Sequence, residues 1–275
     1  MTETQILEFD TNLAGFKVAK ILLSRLGESE LHDVFTELKQ QNVRLVYWLA
    51  DSDDAISNQA AINHQGFLAS QHVTYLLDLT SLNFDVLIEK EPSLRALLAK
   101  QSKEALWIAA PHKQHEARND EIEQYPVKFY QNNQVSAELE QLALAAGSYS
   151  HFKMDPKFPQ ELFFKIYHEW IKNSVNKSVA SDIVIIKDHD KVVAMATLGT
   201  KNKRGDIGLL AVDANFRGKN FGTKIVTAAQ LYFISQGVAL AQVVTQVANT
   251  PARHLYEKCG FKPEKFENFY HFWLL

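Results

Sequence analysis

The stretch from Gly208 to Ile225, GLLAVDANFRGKNFGTKI, constrains this chain more than any other. An apolar run that reads as a strand passes directly into a turn rich in Gly, Asn and cations, and the turn opens a helix reaching about Ser235. A strand that feeds a helix in this way belongs to an α/β layout. The first N–H groups of such a helix have no intrahelical acceptor, and the helix dipole adds partial positive charge there. Together with Arg217, Lys219 and Lys224 they make an anion site best suited to phosphate. Neither common nucleotide loop is present. The Gly-Lys-Ser/Thr of a P-loop is missing, and the spacing of Gly218 and Gly222 is not the dinucleotide fingerprint.

The elements around this junction form a weak internal repeat. Val43–Ala50 (VRLVYWLA) reads as a buried strand, Asp51-Ser52-Asp53-Asp54 starts a short helix through Ala60–Ile62, Gly66-Phe67 ends it, and His72–Leu79 is a strand. Glycine at 66 is expected to take the left-handed turn that closes the helix. At the far end Ala241–Ala248 is a strand, Asn249-Thr250-Pro251 starts a helix over Ala252–Lys258, Gly260-Phe261 ends it, and Phe269–Leu275 (FYHFWLL) is the last strand. Each half thus carries one strand–helix–Gly-Phe–strand unit. Between them, residues 84–105 look helical and Gln114–Gln124 is polar enough for a linker, so domains 1–124 and 125–275 are expected. After the boundary the order is β-α-α-β-β-β-α-β-α-β. Its clearest helix lies within 159–175, where Phe163, Ile166, Tyr167, Trp170 and Ile171 recur at helical spacing.

Charge divides along the same line. Through Tyr125 there are 11 Lys/Arg against 19 Asp/Glu, and afterwards 18 against 13, so net charges of −8 and +5 are hidden inside an overall −3. Six of the basic residues fall between Lys201 and Lys224, around the anion loop, which argues for a phosphate ligand rather than a nucleic-acid surface. The acidic carboxylates are expected to face solvent, away from a shared cleft. Cys259 is the lone cysteine, so neither an intramolecular disulfide nor a cysteine-based zinc site can form. The first residues lack a signal-peptide layout and no stretch approaches the ~20 apolar residues of a membrane span, which predicts a cytoplasmic protein with no membrane partner.

The loop resembles the acetyl-CoA loop of the GNAT superfamily of N-acetyltransferases, Arg/Gln-x-x-Gly-x-Gly/Ala between a central strand and a helix. Here it reads Arg217-Gly218-Lys219-Asn220-Phe221-Gly222, with Asn220 where glycine is usual. Asparagine is the side chain that best tolerates left-handed backbone, so the loop is expected to close. The resemblance implies that backbone N–H groups from Gly218 to Thr223 hold the CoA pyrophosphate. It also implies that strand residues Leu210, Ala211 and Val212 pair with the pantetheine arm and offer an N–H to the thioester carbonyl. Such a donor stabilises the developing oxyanion.

A second element, Asn249–Phe261 (NTPARHLYEKCGF), resembles the Asn-x-x-Ala-x-x-x-Tyr-x-x-x-Gly-Phe helix of the same enzymes. Tyr256 follows Asn249 by about two helical turns, so both project from nearly one face. The resemblance implies that Tyr256 is the general acid for the departing thiolate and that Asn249 contacts the pantetheine. An isolated tyrosine here would read as an amphipathic core residue.

A third segment, Ser150-His151-Phe152-Lys153-Met154-Asp155-Pro156 with Tyr167-x-x-Trp170-Ile171-x-Asn173-Ser174, resembles nucleotide-sugar N-acetyltransferases of the TDP-fucosamine type. His151 stands where that family has arginine. These relatives carry a truncated GNAT-like domain ahead of a complete one, which matches the half-repeat. The opening Phe9–Phe16 is loosely similar to theirs, with Ala14 in place of an aromatic residue.

The fold implied is therefore the α/β GNAT fold, with a truncated first half and a central mixed sheet flanked by helices. The implied activity is acetyl-CoA-dependent transfer, by direct amine attack, to a nucleotide-linked amino sugar contacted by Ser150, His151 and Phe152. No metal is implied, and a homodimer is suggested. The alternatives are a GNAT enzyme for a polyamine, an amino acid or a protein N-terminus, or a non-catalytic acyl-CoA sensor. The first half has no Arg-Gly loop before its Val43 strand, so it is expected to be structural and to wall the acceptor pocket, with Trp48, Phe67 and Tyr75 in its core. His112, His115 and His254 read as exposed and Cys259 as a packed side chain, while Asp155 and Asp213 are candidates for carrying the proton from the acceptor ammonium.

Overall fold

The computed structural model of the chain describes residues 4–83, 86–88 and 125–274. The expected linker, the boundary at Gln124, most of the helix read over 84–105, and His112 and His115 lie outside the described residues. Among those described, ten strands form one mixed sheet in the order β1-β2-β3-β10-β4-β9-β8-β7-β6-β5. The first half contributes β1 (Thr4–Ile6), helix α1 (Glu8–Ala14), β2 (Lys17–Ile21), α2 (Glu28–Gln40), β3 (Val43–Asp51), α3 (Ala55–Asn63) and β4 (Phe67–Asp78). The second half adds β5 (Val127–Phe129), α4 (Ala137–Ala146), the single turn α5 (His151–Met154), α6 (Gln160–Val175), β6 (Asp182–Asp188), β7 (Lys191–Lys201) and β8 (Arg204–Val212). It ends with α7 (Phe221–Ser235), β9 (Leu240–Gln246), α8 (Thr250–Lys258) and β10 (Lys262–Trp273).

The repeat is real, and its two copies interlock. β3–α3–β4 and β9–α8–β10 are equivalent units, and each holds one strand of the other between its own two. β10 lies antiparallel between β3 and β4, with Tyr270 opposite Trp48 on one side and Phe266 opposite Val73 on the other. β4 in turn lies between β10 and β9, where Val73 faces Thr245. The C-terminal strand therefore completes the sheet of the first half. It is also longer than its aromatic segment predicts, because Lys262–Asn268 continue the pairing with β4.

Local sequence sets the helix starts. Asp54 accepts the Ser57 N–H, Ser136 the Leu139 N–H and Asn249 the Ala252 N–H, each a side chain satisfying an orphan donor of the first turn. Two expectations about the first unit change. The left-handed residue closing α3 is Gln65, not Gly66. Glycine at 66 serves packing instead, since a Cβ there would lie 2.7 Å from the Phe272 ring and 2.9 Å from the Ala61 carbonyl. Phe67 is 37% exposed rather than in the core, whereas Trp48 and Tyr75 are fully buried.

Side chains alternate across the sheet and divide the core. On one face Val18, Leu45 and Tyr47 of the first half pack with Leu139, Phe163, Ile166 and Tyr167 of α4 and α6, so this cluster belongs to both halves. On the other face α7 and α8 cover the second half, and α2 and α3 cover Trp48, Tyr270 and Phe272. Among the described residues no helix is long and apolar enough to cross a membrane.

Candidate active site

β8 and β9 are parallel neighbours only where Gly205–Ile207 meet Ala241–Val243. The cause is a bulge. Against β7, Leu210 pairs with Ala196 and Ile207 with Leu198, so Thr197 faces two residues, Gly208 and Leu209. Thr197 Oγ1 accepts the Leu209 N–H at 2.8 Å in place of a backbone carbonyl. A bulge bends and twists its strand, and from Gly208 onward β8 departs from β9. The facing edges are left unpaired, and a cleft of about 890 Å³ opens there.

The cleft gathers nearly every residue singled out from the sequence. It is lined by Leu210, Ala211 and Val212 of β8, by Arg217, Gly218, Asn220, Phe221, Gly222 and Thr223 of the loop, by Asn249 and Tyr256, and by Ser150, His151 and Phe152. Lys219 is the exception. Its ammonium lies over the Phe216 ring, 4.6 Å from the centroid, and it is not among the lining residues. His254 is exposed as expected, yet it borders the cleft.

The loop has the geometry an anion needs. Gly218 (φ 79°) and Asn220 (φ 63°) both take left-handed backbone, so asparagine does what the usual glycine would. Asn220 makes no side-chain cap on α7; its Oδ1 accepts from Lys258 Nζ at 3.2 Å. The leading amides of α7 are thereby left without a capping side chain at the cleft. Gly222 lies close against α8, and a Cβ there would sit 3.0 Å from Leu255 Cδ2, so that side-chain tip would have to shift by a few tenths of an ångström.

Tyr256 is 4% exposed, and its hydroxyl has no hydrogen-bond partner among the described residues. Burial drives its pKa well above the ordinary phenol value, with Cys259 adding to the effect, so the group stays protonated and can donate but not accept a proton at neutral pH. Asn249 lines the cleft while capping α8, and its amide nitrogen donates to Thr245 Oγ1 at 3.4 Å. Burial raises the Cys259 thiol to about 11, which fits a packed side chain and not a nucleophile.

The structure adds two residues that the sequence reading missed, His271 and His72. His271 is fully buried on β10. Its Nδ1 lies 2.6 Å from Asp155 Oδ2, and its Nε2 lies 2.9 Å from His151 Nδ1. Burial would raise the Asp155 pKa, but donors from His271, Trp273 and the Lys157 N–H outweigh it and hold the carboxyl below its usual value. His72 on β4 lines the cleft with its Nε2 buried and unpartnered. Alternation in FYHFWLL puts Phe269, His271 and Trp273 on one face, but the partner of His271 is 116 positions away and no local pattern reveals it. Asp213, the other proton-carrier candidate, instead pairs with Lys191 at 2.8 Å and does not line this cleft.

Residues 142–261 match the acetyltransferase (GNAT) family. The chain carries a GNAT acetyltransferase domain. The matched span contains the bulged strand, the loop, Asn249, Tyr256 and the Ser150–Phe152 turn, and it stops before β10, where His271 lies. The chain is similar to the spore coat polysaccharide biosynthesis protein SpsD of Bacillus subtilis (strain 168), at 26% identity over 133 residues. That alignment covers 48% of this chain and 46% of SpsD, about half of either.

Solved structures extend the fold likeness over the whole molecule. A conserved protein of unknown function from Staphylococcus epidermidis superposes with a TM-score of 0.59 at 9% identity, covering 100% of this chain and 92% of that one. A tandem GNAT protein from the clavulanic acid biosynthesis pathway gives 0.53 at 12% identity over 93% and 74%. GNAT proteins use acetyl-CoA as co-substrate. The residues present fit such a co-substrate: the parted strands leave a slot for an extended arm, and the left-handed loop and uncapped amides of α7 lie at its end. Among the described residues no group of three or more His, Cys, Asp or Glu gathers as metal ligands would.

Proposed function

We propose that this chain is an acetyl-CoA-dependent N-acetyltransferase that passes the acetyl group by direct amine attack to an amino sugar carried on a nucleotide, of the dTDP-amino-sugar type. The observation that carries the reading is the parting of β8 from β9 above uncapped helix amides, with Tyr256 bordering the same cleft. Gly218–Thr223 amides and Arg217 hold the pyrophosphate, and Leu210–Val212 offer their unpaired edge to the pantetheine arm. Acetyl-CoA supplies the activated acyl group. Tyr256 holds the proton that the departing sulfur needs, and an N–H of the β8 edge meets the charge that develops on the thioester oxygen.

Residues 125–275 supply these groups in this reading, and residues 1–124 are a structural half that walls the cleft through His72. The sugar acceptor is supported by the Ser150-His151-Phe152 turn lining the cleft and by the polysaccharide biosynthesis role in the name of SpsD.

The test is incubation with acetyl-CoA and a panel of nucleotide-linked amino sugars, free amino sugars, polyamines, amino acids and peptides, read by mass spectrometry. Acetylation of a nucleotide-linked amino sugar is expected. Acetylation confined to the other amines overturns the acceptor assignment, and calorimetric binding of acetyl-CoA with no transfer to any amine overturns the enzyme. With the acceptor in hand, Tyr256→Phe should lower kcat by ~10²–10⁴-fold, the range of general acid catalysis, while acetyl-CoA affinity stays within about threefold. An unchanged kcat refutes the role of the phenol.

A further inference from the structure

The buried chain Asp155–His271–His151 leads from a carboxylate in the core to the cleft. Asp155 is fixed by three donors: the Lys157 N–H on Oδ1 at 2.8 Å, and His271 Nδ1 and Trp273 Nε1 on Oδ2 at 2.6 and 2.9 Å. A carboxylate accepts only, so the His271 proton sits on Nδ1 and its Nε2 is an acceptor. His151 Nδ1–H then donates to that Nε2 at 2.9 Å. This leaves His151 Nε2 as a free lone pair on a ring that lines the cleft with Tyr256. The His151 ring is clamped, stacked on Phe269 at 3.9 Å and 15° and against Phe152 at 3.8 Å.

We infer that this chain is the proton relay of the site, with His151 as the base that deprotonates the acceptor ammonium. The inference rests on the acetyltransferase reading above. An N–H bond of the ammonium breaks as its proton passes to His151 Nε2, and His151 Nδ1–H passes to His271 Nε2. The positive charge passes to His271, where the Asp155 carboxylate offsets part of the cost of burial, and the amine keeps the lone pair with which it attacks. His151 touches the acceptor and is the catalytic residue, while His271 and Asp155 are positioning residues. The charged and titratable neighbours are Lys20 on β2, Tyr47 on β3 and His72 on β4, with Asp10 near Tyr47. Burial, with smaller effects from His271, His72 and Lys20, keeps free His151 neutral and makes it a weak base by itself, so the proton has to be passed on through Nδ1 to His271.

Two measurements on the full chain test the inference. Long-range proton–nitrogen spectra of histidine-labelled protein at pH 7 should show His151 and His271 neutral with their protons on Nδ1. His151 protonated on Nε2 overturns the relay. In the acetyl-transfer assay, Asp155→Asn and His151→Gln should each lower kcat by ~100-fold or more with the KM for acetyl-CoA unchanged. The residual rate of Asp155→Asn should keep climbing with pH beyond the point where the wild-type rate levels off, because only acceptor already deprotonated in solution is used. Asp213→Asn, outside the cleft, should stay within twofold of wild type. If wild type transfers acetyl while both relay variants remain within threefold of it, the relay is refuted and the activity stands. If wild type acetylates nothing, the activity reading falls and the spectra alone decide the chain.

Discussion

Acidification should destabilise this protein through His72 by an amount that can be worked out in advance. His72 lies on β4 with its ring 5.0 Å from Phe269 and its Nε2 buried without a partner. Burial, and secondarily the charge of Lys20, bring its pKa down to about 4. In the unfolded chain histidine titrates near ~6.5. Between those values the unfolded state binds a proton that the folded state refuses, so stability is lost as pH falls and is regained as it rises. From pH 7.5 to 5 the loss through this one residue is about 2 kcal/mol, approaching about 3 kcal/mol below pH 4. Other groups titrate in the same interval. His151 and His271 are depressed and act in the same direction, Asp155 is also depressed but acts only below the ordinary carboxylate range, and Asp10, raised to about 6 chiefly by burial, binds its proton earlier in the folded state and offsets part of the loss. A double difference isolates His72. Urea unfolding of wild type and His72→Phe at pH 7.5 and 5.0 should show the variant losing about 2 kcal/mol less than wild type over the interval. Equal losses in the two proteins refute the claim that His72 is held neutral by its surroundings.

Gly208→Ala should place a Cβ 2.8 Å from Thr197 Oγ1 and break the bond that holds the bulge, costing ~1–3 kcal/mol for the orphaned Leu209 N–H and weakening acetyl-CoA in calorimetry; unchanged stability and affinity would show that the bulge does not depend on that hydroxyl. Residues 125–275 expressed alone contain the entire family match but lack β3 and β4, which leaves β10 unpaired on both edges, so they should give no cooperative unfolding transition and no acetyl-CoA binding. A cooperative monomer that binds acetyl-CoA would show that the interlocked strands are dispensable.

The sequence disclosed what is local. The strand–loop–helix junction, Asn220 in left-handed backbone, and Tyr256 two turns beyond Asn249 all depend on residues within about ten positions of one another, where spacing and backbone preference act directly. Elements were legible for the same reason, as periodicity alone distinguishes α6 from β6 and β7. The bulge was harder. Gly208 and Thr197 are unremarkable apart, and only the register between β7 and β8 brings the hydroxyl to the Leu209 N–H. A glycine after a helix serves either φ or space, and at Gly66 it is space, which the Phe272 ring fills from the other end of the chain.

The interlocking of the two units accounts for what remained hidden, and sets the acidic half against the site. A free-standing second half would leave β10 with an open edge and its aromatic face exposed. Seated between β3 and β4, the strand is held from both sides, with His271 opposite Tyr47 in the register and Phe269 opposite Ser70. That placement fixes the height of His271 along the sheet to the position where α5 presents Asp155 and His151. His72 and Tyr47 of the first half then close the surroundings of the chain, with rings 6.3 and 5.2 Å from His151. The first half does not need a CoA loop to matter. β2 is paired with β3 along its whole length, from Lys17 to Ile21, so no slot opens there. What the half supplies is a rigid pair of strands, and rigidity is what a relay with hydrogen bonds of 2.6 and 2.9 Å requires. Asp155, His151 and His271 all belong to the second half, yet the strand that carries His271 is seated between two strands of the first, and the family match ends at Phe261, ten residues short of it.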